Sequence, residues 1–195
     1  MCLAWSQMLK TKRKMKMKKV IIGLAIILSG IAAQASVAKW SVLNVQDSPS
    51  AAASESWMVA IFEGAASSFD FEAFSAGTLT AADIQSPVKN ATTGFLNVNN
   101  TTGFGDYTAG SAQSFYAVVF DAATLGDVKN YIVSESVEKT FAANGAAQTW
   151  AFGNMGLENA NNKFVNSSWQ AVPEPTSGLL MLVGLAGLAL RRRRA

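Results

Sequence analysis

The sequence predicts an all-β body, a small antiparallel β-sandwich or barrel, with one apolar helix before it and another after it. Between residues 36 and 171, short runs of β-branched and aromatic residues alternate with Gly, Asn, Ser and Thr, which is typical of strands joined by turns. About seven or eight such runs follow at intervals of roughly ten residues, a spacing that favours a sandwich or barrel. Both ends of the chain carry an apolar run beside a basic cluster, which indicates targeting segments.

Residues 1–35 are predicted to be a secretory signal peptide. A basic segment, residues 1–19, precedes the apolar run Val20–Ala33. Ala33 and Ala35 then place small side chains at the two positions that a signal peptidase inspects, so cleavage is expected after Ala35.

Two alternatives concern this N-terminal segment. A weaker cleavage site follows Ala38, and the segment could instead remain as an uncleaved N-terminal anchor. The basic stretch is also long for a signal peptide, so residues 1–14 are interpreted as an upstream extension before a start at Met15 or Met17.

The first half of the body is expected to contain three strands and little helix. The phenylalanines of Ser67–Phe74 fit neither a helical nor a strand period, which favours a turn or a short helix capped by a serine. Leu79–Gln85 is expected to form one helical turn, and Asn99–Gly105 a loop rich in Asn and Gly. The predicted strands are Lys39–Val45, Ser56–Glu63 and Thr93–Val98.

The second half of the body has the strongest strand pattern, the apolar run Ser114–Asp121. A turn is expected at Leu125–Asp127. Asn144 and Gly145 favour a tight hairpin turn between two of the later strands. These later strands are predicted at Asn130–Ser134, Val137–Ala142, Gln148–Phe152 and Lys163–Trp169.

The stretch 172–195 combines three features in order. Pro173 and Pro175 fix φ and lack an amide hydrogen, so the backbone around Glu174 is expected to be extended and accessible. The uncharged apolar run Gly178–Leu190 follows; as a helix it would be roughly 20 Å long against a roughly 30 Å hydrocarbon core, and flanking residues with snorkelling arginines extend its reach. The sequence therefore predicts a transmembrane helix at 177–190, with a cytoplasmic stop formed by Arg191, Arg192, Arg193 and Arg194.

Pro-Glu-Pro, a short apolar segment and a terminal basic cluster together resemble the PEP-CTERM sorting signal of Gram-negative bacteria. The resemblance covers only the last two dozen residues or so and implies that exosortase, a membrane transpeptidase-like enzyme, cuts near Pro173, Glu174 and Pro175. An ordinary C-terminal tail anchor is the alternative. A buried core helix is disfavoured further, because four arginines cannot follow it into a core.

The basic residues at the two ends predict where the body lies. The N-terminal cluster precedes its apolar run and the C-terminal cluster follows its own. Because basic flanks stay on the cytoplasmic side, both segments place the body across the inner membrane. The expected processing partners are signal peptidase and exosortase, and the expected destination is the cell surface or the extracellular matrix.

Composition restricts the function of the body. Residues 36–172 contain five lysines and twelve acidic residues, a net charge of −7, which repels phosphate backbones and argues against a nucleic-acid partner. Histidine is absent, and the single cysteine, Cys2, lies in the segment expected to be removed. The commonest general base, metal ligand and thiol nucleophile are therefore missing, and no cofactor, metal or catalytic residue is predicted.

Three groups of side chains remain as candidates for chemistry. Asp70 with Glu72, on one face of a strand, and Glu135 with Glu138, on a helix or turn, are carboxylate pairs, but glycoside hydrolysis needs two acids held in a cleft. Asn97–Asp106 is rich in oxygen ligands yet has a single carboxylate, so a turn is favoured over a calcium site. Aromatic residues could stack on sugars, although most are expected in the core; these are Trp57, Trp150, Trp169, Tyr107, Tyr116 and Tyr131, with Trp40 and Trp169 the best candidates for partial exposure.

These observations favour an exported, non-enzymatic surface or matrix protein that its tail holds in the membrane. The second hypothesis is a module that binds extracellular polysaccharide through exposed Trp or Tyr. The third is a hydrolase that uses carboxylates alone.

Overall fold

Residues 35–173 are described by a computed structural model, in which they form two β-sheets with little helix. A 3-10 turn at Ala66–Ser68 and the short helix α1, Phe71–Ser75, follow the second strand, and a second 3-10 turn lies at Leu125–Asp127. The strands are β1 (Ala35–Leu43), β2 (Met58–Glu63), β3 (Asp83–Gln85), β4 (Val88–Lys89), β5 (Leu96–Thr108), β6 (Ala112–Phe120), β7 (Asn130–Val133), β8 (Val137–Thr140), β9 (Gln148–Asn154) and β10 (Gln170–Ala171).

The four-stranded sheet has the order β4-β5-β1-β9. β1 lies between β5, which is antiparallel to it, and β9, which is parallel to it. The parallel pair departs from the wholly antiparallel arrangement expected from the sequence. No hairpin joins β1 to β9, since most of the body lies between them in the chain, and parallel strands need such a long crossover.

The six-stranded sheet has the order β10-β7-β6-β2-β3, and β8 also pairs with β6. β6 is its central strand and pairs antiparallel with β2, β7 and β8. Both faces of β2 and β6 are buried, which explains why their sequences are continuous apolar runs rather than alternating ones.

The main core lies between the two sheets. Alternate residues of β1 point into it, and Ala38, Trp40 and Val42 are all fully buried. They meet side chains of β2, β6 and β9, among them Ile61, Phe115, Val119, Trp150 and Phe152. The prediction of an all-β body is therefore confirmed.

A second apolar cluster covers the outer face of the six-stranded sheet. Phe71 and Phe74 of α1 pack against Phe62, Tyr116 and Phe120 of the sheet. The helix begins at Asp70, whose carboxylate Oδ1 accepts hydrogen bonds from the amides of Glu72 and Ala73. A short helix was expected here, but its cap is this aspartate and not a serine.

The predicted helical turn at Leu79–Gln85 is wrong, because Asp83–Gln85 forms β3 beside β2. The predicted loop Asn99–Gly105 is also wrong, since these residues continue β5 along β1. Gly103 and Gly105 have positive φ (85° and 66°), and the pairing shifts register nearby, so glycine here accommodates bulges within the strand.

The last two connections differ from the prediction as well. The turn at Asn144 and Gly145 exists, yet it does not close a hairpin, because β8 and β9 belong to different sheets. Lys163–Trp169 is a turn and an extended segment instead of a strand, and the final strand is the two-residue β10.

The predicted strands in 39–45, 56–63, 114–121, 130–134, 137–142 and 148–152 are confirmed within a few residues of their expected bounds. Among residues 35–173 there is no helix with the length and apolarity needed to cross a bilayer. The predicted N-terminal and C-terminal helices lie outside the described residues, and the domain boundaries stay predictions.

Candidate functional site

The chain leaves the body beside β7, at the start of the predicted sorting signal. Gln170 and Ala171 of β10 pair with Tyr131 and Asn130 of β7. The amide of Val172 donates to the carbonyl of Lys129 at 2.8 Å, and the Val172 side chain packs against the outer apolar cluster. The backbone is thus held as far as residue 172.

The side chain of Tyr131 links β10 to the outer apolar cluster. Its hydroxyl donates to Gln170 Oε1 at 3.0 Å, while its ring stacks on Phe71 of α1 with centroids 5.5 Å apart. Burial raises the pKa of Tyr131, and the negative charge of Asp70 raises it further, so the hydroxyl stays protonated as a donor.

A buried carboxylate fixes the backbone that holds the exit. Asp121, only 8% exposed, accepts hydrogen bonds at Oδ1 from the amides of Lys129 and Asn130, both at 2.9 Å. Its Oδ2 accepts from Ser48 Oγ at 2.9 Å and from Asn130 Nδ2 at 2.8 Å. Burial alone would raise the pKa of Asp121, but these four hydrogen bonds outweigh burial and lower it.

Pro173, the first residue of the predicted processing motif, is exposed just beyond this support. Glu174 and Pro175 lie outside the described residues, as do the four arginines at 191–194. The structure therefore places only the first residue of the motif, at an accessible position.

The predicted signal-peptidase site lies where β1 begins. Ala35 is the exposed first residue of β1 and pairs with Thr108, whereas Ala33 lies outside the described residues. Ser36, the next residue, is already buried. Cleavage after Ala35 would leave the buried part of the strand intact.

The weaker site after Ala38 is a different case. Ala38 is fully buried between β5 and β9, and cleavage there would remove the first four residues of β1. The geometry favours the site after Ala35, because only that product keeps the strand's pairing with the end of β5.

The predicted carboxylate pairs are not arranged as acid and base. Asp70 caps α1, so it does not share a strand face with Glu72 as expected. Glu135 and Glu138 are both exposed, and Glu135 Oε1 accepts a hydrogen bond from Asn166 at 2.7 Å.

The Asn-rich segment 97–106 is used for structure. Asn100 Oδ1 accepts from the Gly103 amide and the Thr102 hydroxyl, and Asn100 Nδ2 donates to Asp83 Oδ2 at 2.6 Å. Asp106 is exposed. Across residues 35–173 no three His, Cys, Asp or Glu side chains gather at one point.

Asp83 was not singled out from the sequence, yet it joins the two sheets. Its Oδ2 accepts from Trp40 Nε1 of β1 at 2.7 Å as well as from Asn100 of β5. The prediction that Trp40 is partly exposed is wrong, because the indole lies fully buried with its N–H on this carboxylate.

The remaining aromatic candidates line the core. Trp57, Trp150 and Tyr116 are buried, and the partly buried Trp169 meets Trp57 edge to face at 5.9 Å. Tyr107 stacks on Phe141 at 4.9 Å; burial, helped by Glu63, raises its pKa to about 12. Among the described residues, no Trp or Tyr is among the exposed large apolar side chains.

Sequence reasoning identified the sorting motif but missed the residues that present it. Asp121 ends the strongest predicted strand, and an acidic residue at the end of a fully apolar run, before a turn, was the available sign of a buried hydrogen-bonding carboxylate.

Comparison with known families agrees with the resemblance noted in the sequence. The family described as the PEP-CTERM protein-sorting motif matches residues 171–194. No curated protein and no solved structure matches the chain.

The matched range begins at Ala171, the last residue of β10, so the sorting motif starts where the sheet ends. A PEP-CTERM motif at this end supports export, anchoring in a membrane by the C-terminal tail, and processing by exosortase at that membrane.

Proposed function

We propose that this protein is an exported, non-enzymatic component of the cell surface or extracellular matrix. It crosses the inner membrane, is held there by its C-terminal tail and is processed by exosortase. The observation that carries the proposal is the sorting motif at 171–194, which emerges from the folded body at an exposed proline.

Two features of the body support a passive role. The sequence has no histidine, and its only cysteine lies far before Ala35. Among residues 35–173 the most buried carboxylate is that of Asp121. It accepts four hydrogen bonds from neighbouring groups and has a lowered pKa, so it does not act as a proton donor near neutral pH.

The test of sorting replaces Pro173, Glu174 and Pro175 with alanine and follows the protein by cell fractionation. With exosortase present, the unaltered protein is expected to leave the inner membrane in a shorter form. The variant is expected to stay in the inner membrane at the mass of the signal-peptidase product. Unchanged release of the variant would refute processing at this motif.

A matched control removes the same residue types from the body. Pro49 and Glu138 are both exposed and lie outside the sorting motif, in the loop after β1 and in β8. Their replacement with alanine is expected to leave release unchanged, whereas a strain without exosortase should retain every version of the protein.

Binding of extracellular polysaccharide is the alternative function. Stacking on Trp or Tyr has little support in the body, because these rings pack in the core or against it. Retention of the protein on a panel of insoluble glycans tests the alternative. Among the described residues, Trp169 is the only tryptophan that is partly exposed, so binding through a tryptophan requires that Trp169→Ala abolishes retention.

A further inference from the structure

The two termini of the body leave the sandwich at opposite ends. Ala35 pairs with Thr108 at the end of β5, and the chain then turns into β6 at Ala112, which pairs with Thr140. These residues define the far end of the sandwich.

The tail leaves from the other end. Leu43 ends β1 there and the chain continues to Met58 of β2, which pairs with Phe120. Ala171 pairs with Asn130. The carbonyl of Asn130 accepts a hydrogen bond from the amide of Asp121, the residue after Phe120. The exit end is therefore formed by Leu43, Met58, Phe120, Asn130 and Ala171.

Among residues 35–173, four of the six exposed large apolar side chains lie at the exit end: Leu43, Val88, Phe95 and Leu157. Val88 pairs with Asn97. The Oδ1 atom of Asn97 accepts a hydrogen bond from the amide of Asn44, the residue after Leu43. Phe95 immediately precedes β5, and Leu157 donates its amide to Asn154, the residue that pairs with Leu43.

The short linker between Pro173 and the apolar run limits which end of the body can lie near the membrane. Five Cα steps separate Pro173 from Gly178, the first residue of the apolar run, so they span at most roughly 18 Å. β1, with 9 residues, is roughly 30 Å long, and the far end therefore lies beyond the reach of this linker.

We propose that the exit end docks on the lipid surface beside the inserted tail, with Leu43, Val88, Phe95 and Leu157 entering the interface between headgroups and acyl chains. The proposal rests on the proposed function, since it needs the tail in a bilayer. A short tether raises the effective concentration of the body at the surface to the millimolar range, so a small apolar patch is sufficient.

The contact is apolar rather than electrostatic. Lys89 and Lys129 are exposed at this end, but Asp47, Glu55 and Glu158 are exposed there too. Docking should therefore persist on neutral lipid and at high salt.

The test uses residues 36–195, the expected product of signal peptidase, which contain no cysteine. One new cysteine carries an environment-sensitive fluorophore, and the protein is reconstituted in phosphatidylcholine vesicles that contain nitroxide-labelled lipid. Val88→Cys and Phe95→Cys report the exit end. Ile84→Cys on β3 is the matched control, because Ile84 and Phe95 are both 47% exposed. Ala147→Cys, before β9, reports the far end.

Fluorophores at 88 and 95 are expected to shift to the blue and to be quenched by the labelled lipid, while those at 84 and 147 are not. Equal quenching at all four positions, or none at 88 and 95, overturns the proposal. A blue shift without lipid quenching, lost when the protein-to-lipid ratio is lowered, would show that a second copy covers this end and would also overturn it.

Flotation of the same vesicles separates this result from the proposed function. If the chain does not float with lipid, the anchoring by the tail is wrong and docking fails with it. If the chain floats but the fluorophores at 88 and 95 remain in water, only the docking proposal is wrong.

Discussion

Asp121 couples the start of the tail to the central strand of the body. It follows the central strand β6, and its carboxylate holds the amides of Lys129 and Asn130, which in turn hold Ala171 and Val172. A buried carboxylate with this many donors is stable as an anion and orders the backbone around it.

Replacing Asp121 with alanine should lower the free energy of unfolding by about 2–4 kcal/mol, because the amides of Lys129 and Asn130 and the Asn130 side chain lose their acceptor. Denaturant titration measures the change. Asp127→Ala is the control: its carboxylate accepts one exposed hydrogen bond from Thr124, and its loss should cost about 0.5 kcal/mol or less. Equal effects would contradict the role given to Asp121.

The lowered pKa of Asp121 also predicts a dependence on pH. The folded protein favours the anion, so this stabilisation is complete above the usual value of 3.8 and is lost as the pH falls through the lower folded value. The Asp121→Asn variant should be less stable than the original at neutral pH, and the difference should narrow in acid. Denaturation curves between about pH 2 and about pH 7 test this, and a constant difference would be inconsistent with it.

Gly153 in β9 allows the loop at Asn161 and Asn162 to cross the strand. It has φ +84°, and a Cβ there would overlap the backbone of Asn161. Gly110 has nearly the same φ, +82°, but open space around it. Substitution of Gly110 should therefore show the cost of backbone strain alone, and substitution of Gly153 the cost of strain together with a steric clash.

Gly110→Ala should lower the free energy of unfolding by about 1–2 kcal/mol through strain alone, and Gly153→Ala by about 2–5 kcal/mol. Thermal or denaturant unfolding of both variants gives the comparison. Similar losses in the two variants would mean that the loop moves away freely.

At the level of elements, sequence pattern identified the strands that are buried on both faces. The runs that became β2 and β6 are almost wholly apolar, since one face meets the main core and the other meets α1 and its phenylalanines. Such runs need no knowledge of neighbours to be recognised.

The missed elements depend on contacts that are distant in the chain. β5 contains Asn, Thr and two glycines of positive φ, and it is a strand because β1 pairs along it. β10 has only two residues and exists because Tyr131 and Asn130 receive them. Local propensity favours a loop at both places, and tertiary pairing overrides it.

The start of β1 predicts which cleavage product is stable. A variant without residues 36–38 loses the pairing of Ser36 with Tyr107 and of Ala38 with Gln148, and it should unfold at a clearly lower temperature or be degraded. Replacing Ser36 and Val37 with alanine keeps the backbone and is the control. Equal resistance to protease in the two variants would show that this part of the strand is dispensable.

At the scale of the whole molecule, the sequence alone identified the C-terminal sorting motif more completely than the fold of the body. The tail is a local motif, so its residues can be recognised without knowledge of the fold. The match of residues 171–194 to the sorting motif agrees with that prediction. The exit geometry was not predictable, because Asp121, Lys129 and Val172 meet only when β6, β7 and β10 pair as neighbouring strands of one sheet.

The two termini leave the sandwich at opposite ends, so its two ends can be distinguished by their position relative to the membrane. The end that bears the tail carries Leu43, Val88 and Phe95, and the end where β1 begins is left facing outward. A chain still anchored at both ends would have to lie with the long axis of the body along the membrane, so removal of the N-terminal segment releases the far end.

The mass of the mature protein recovered from the cell surface tests the central claim most directly, because it reports both processed ends at once. We expect a chain that begins at Ser36 and ends close to Pro173, Glu174 and Pro175, without the arginines at 191–194. A full-length chain with both ends intact, recovered from the soluble interior of the cell, would contradict it.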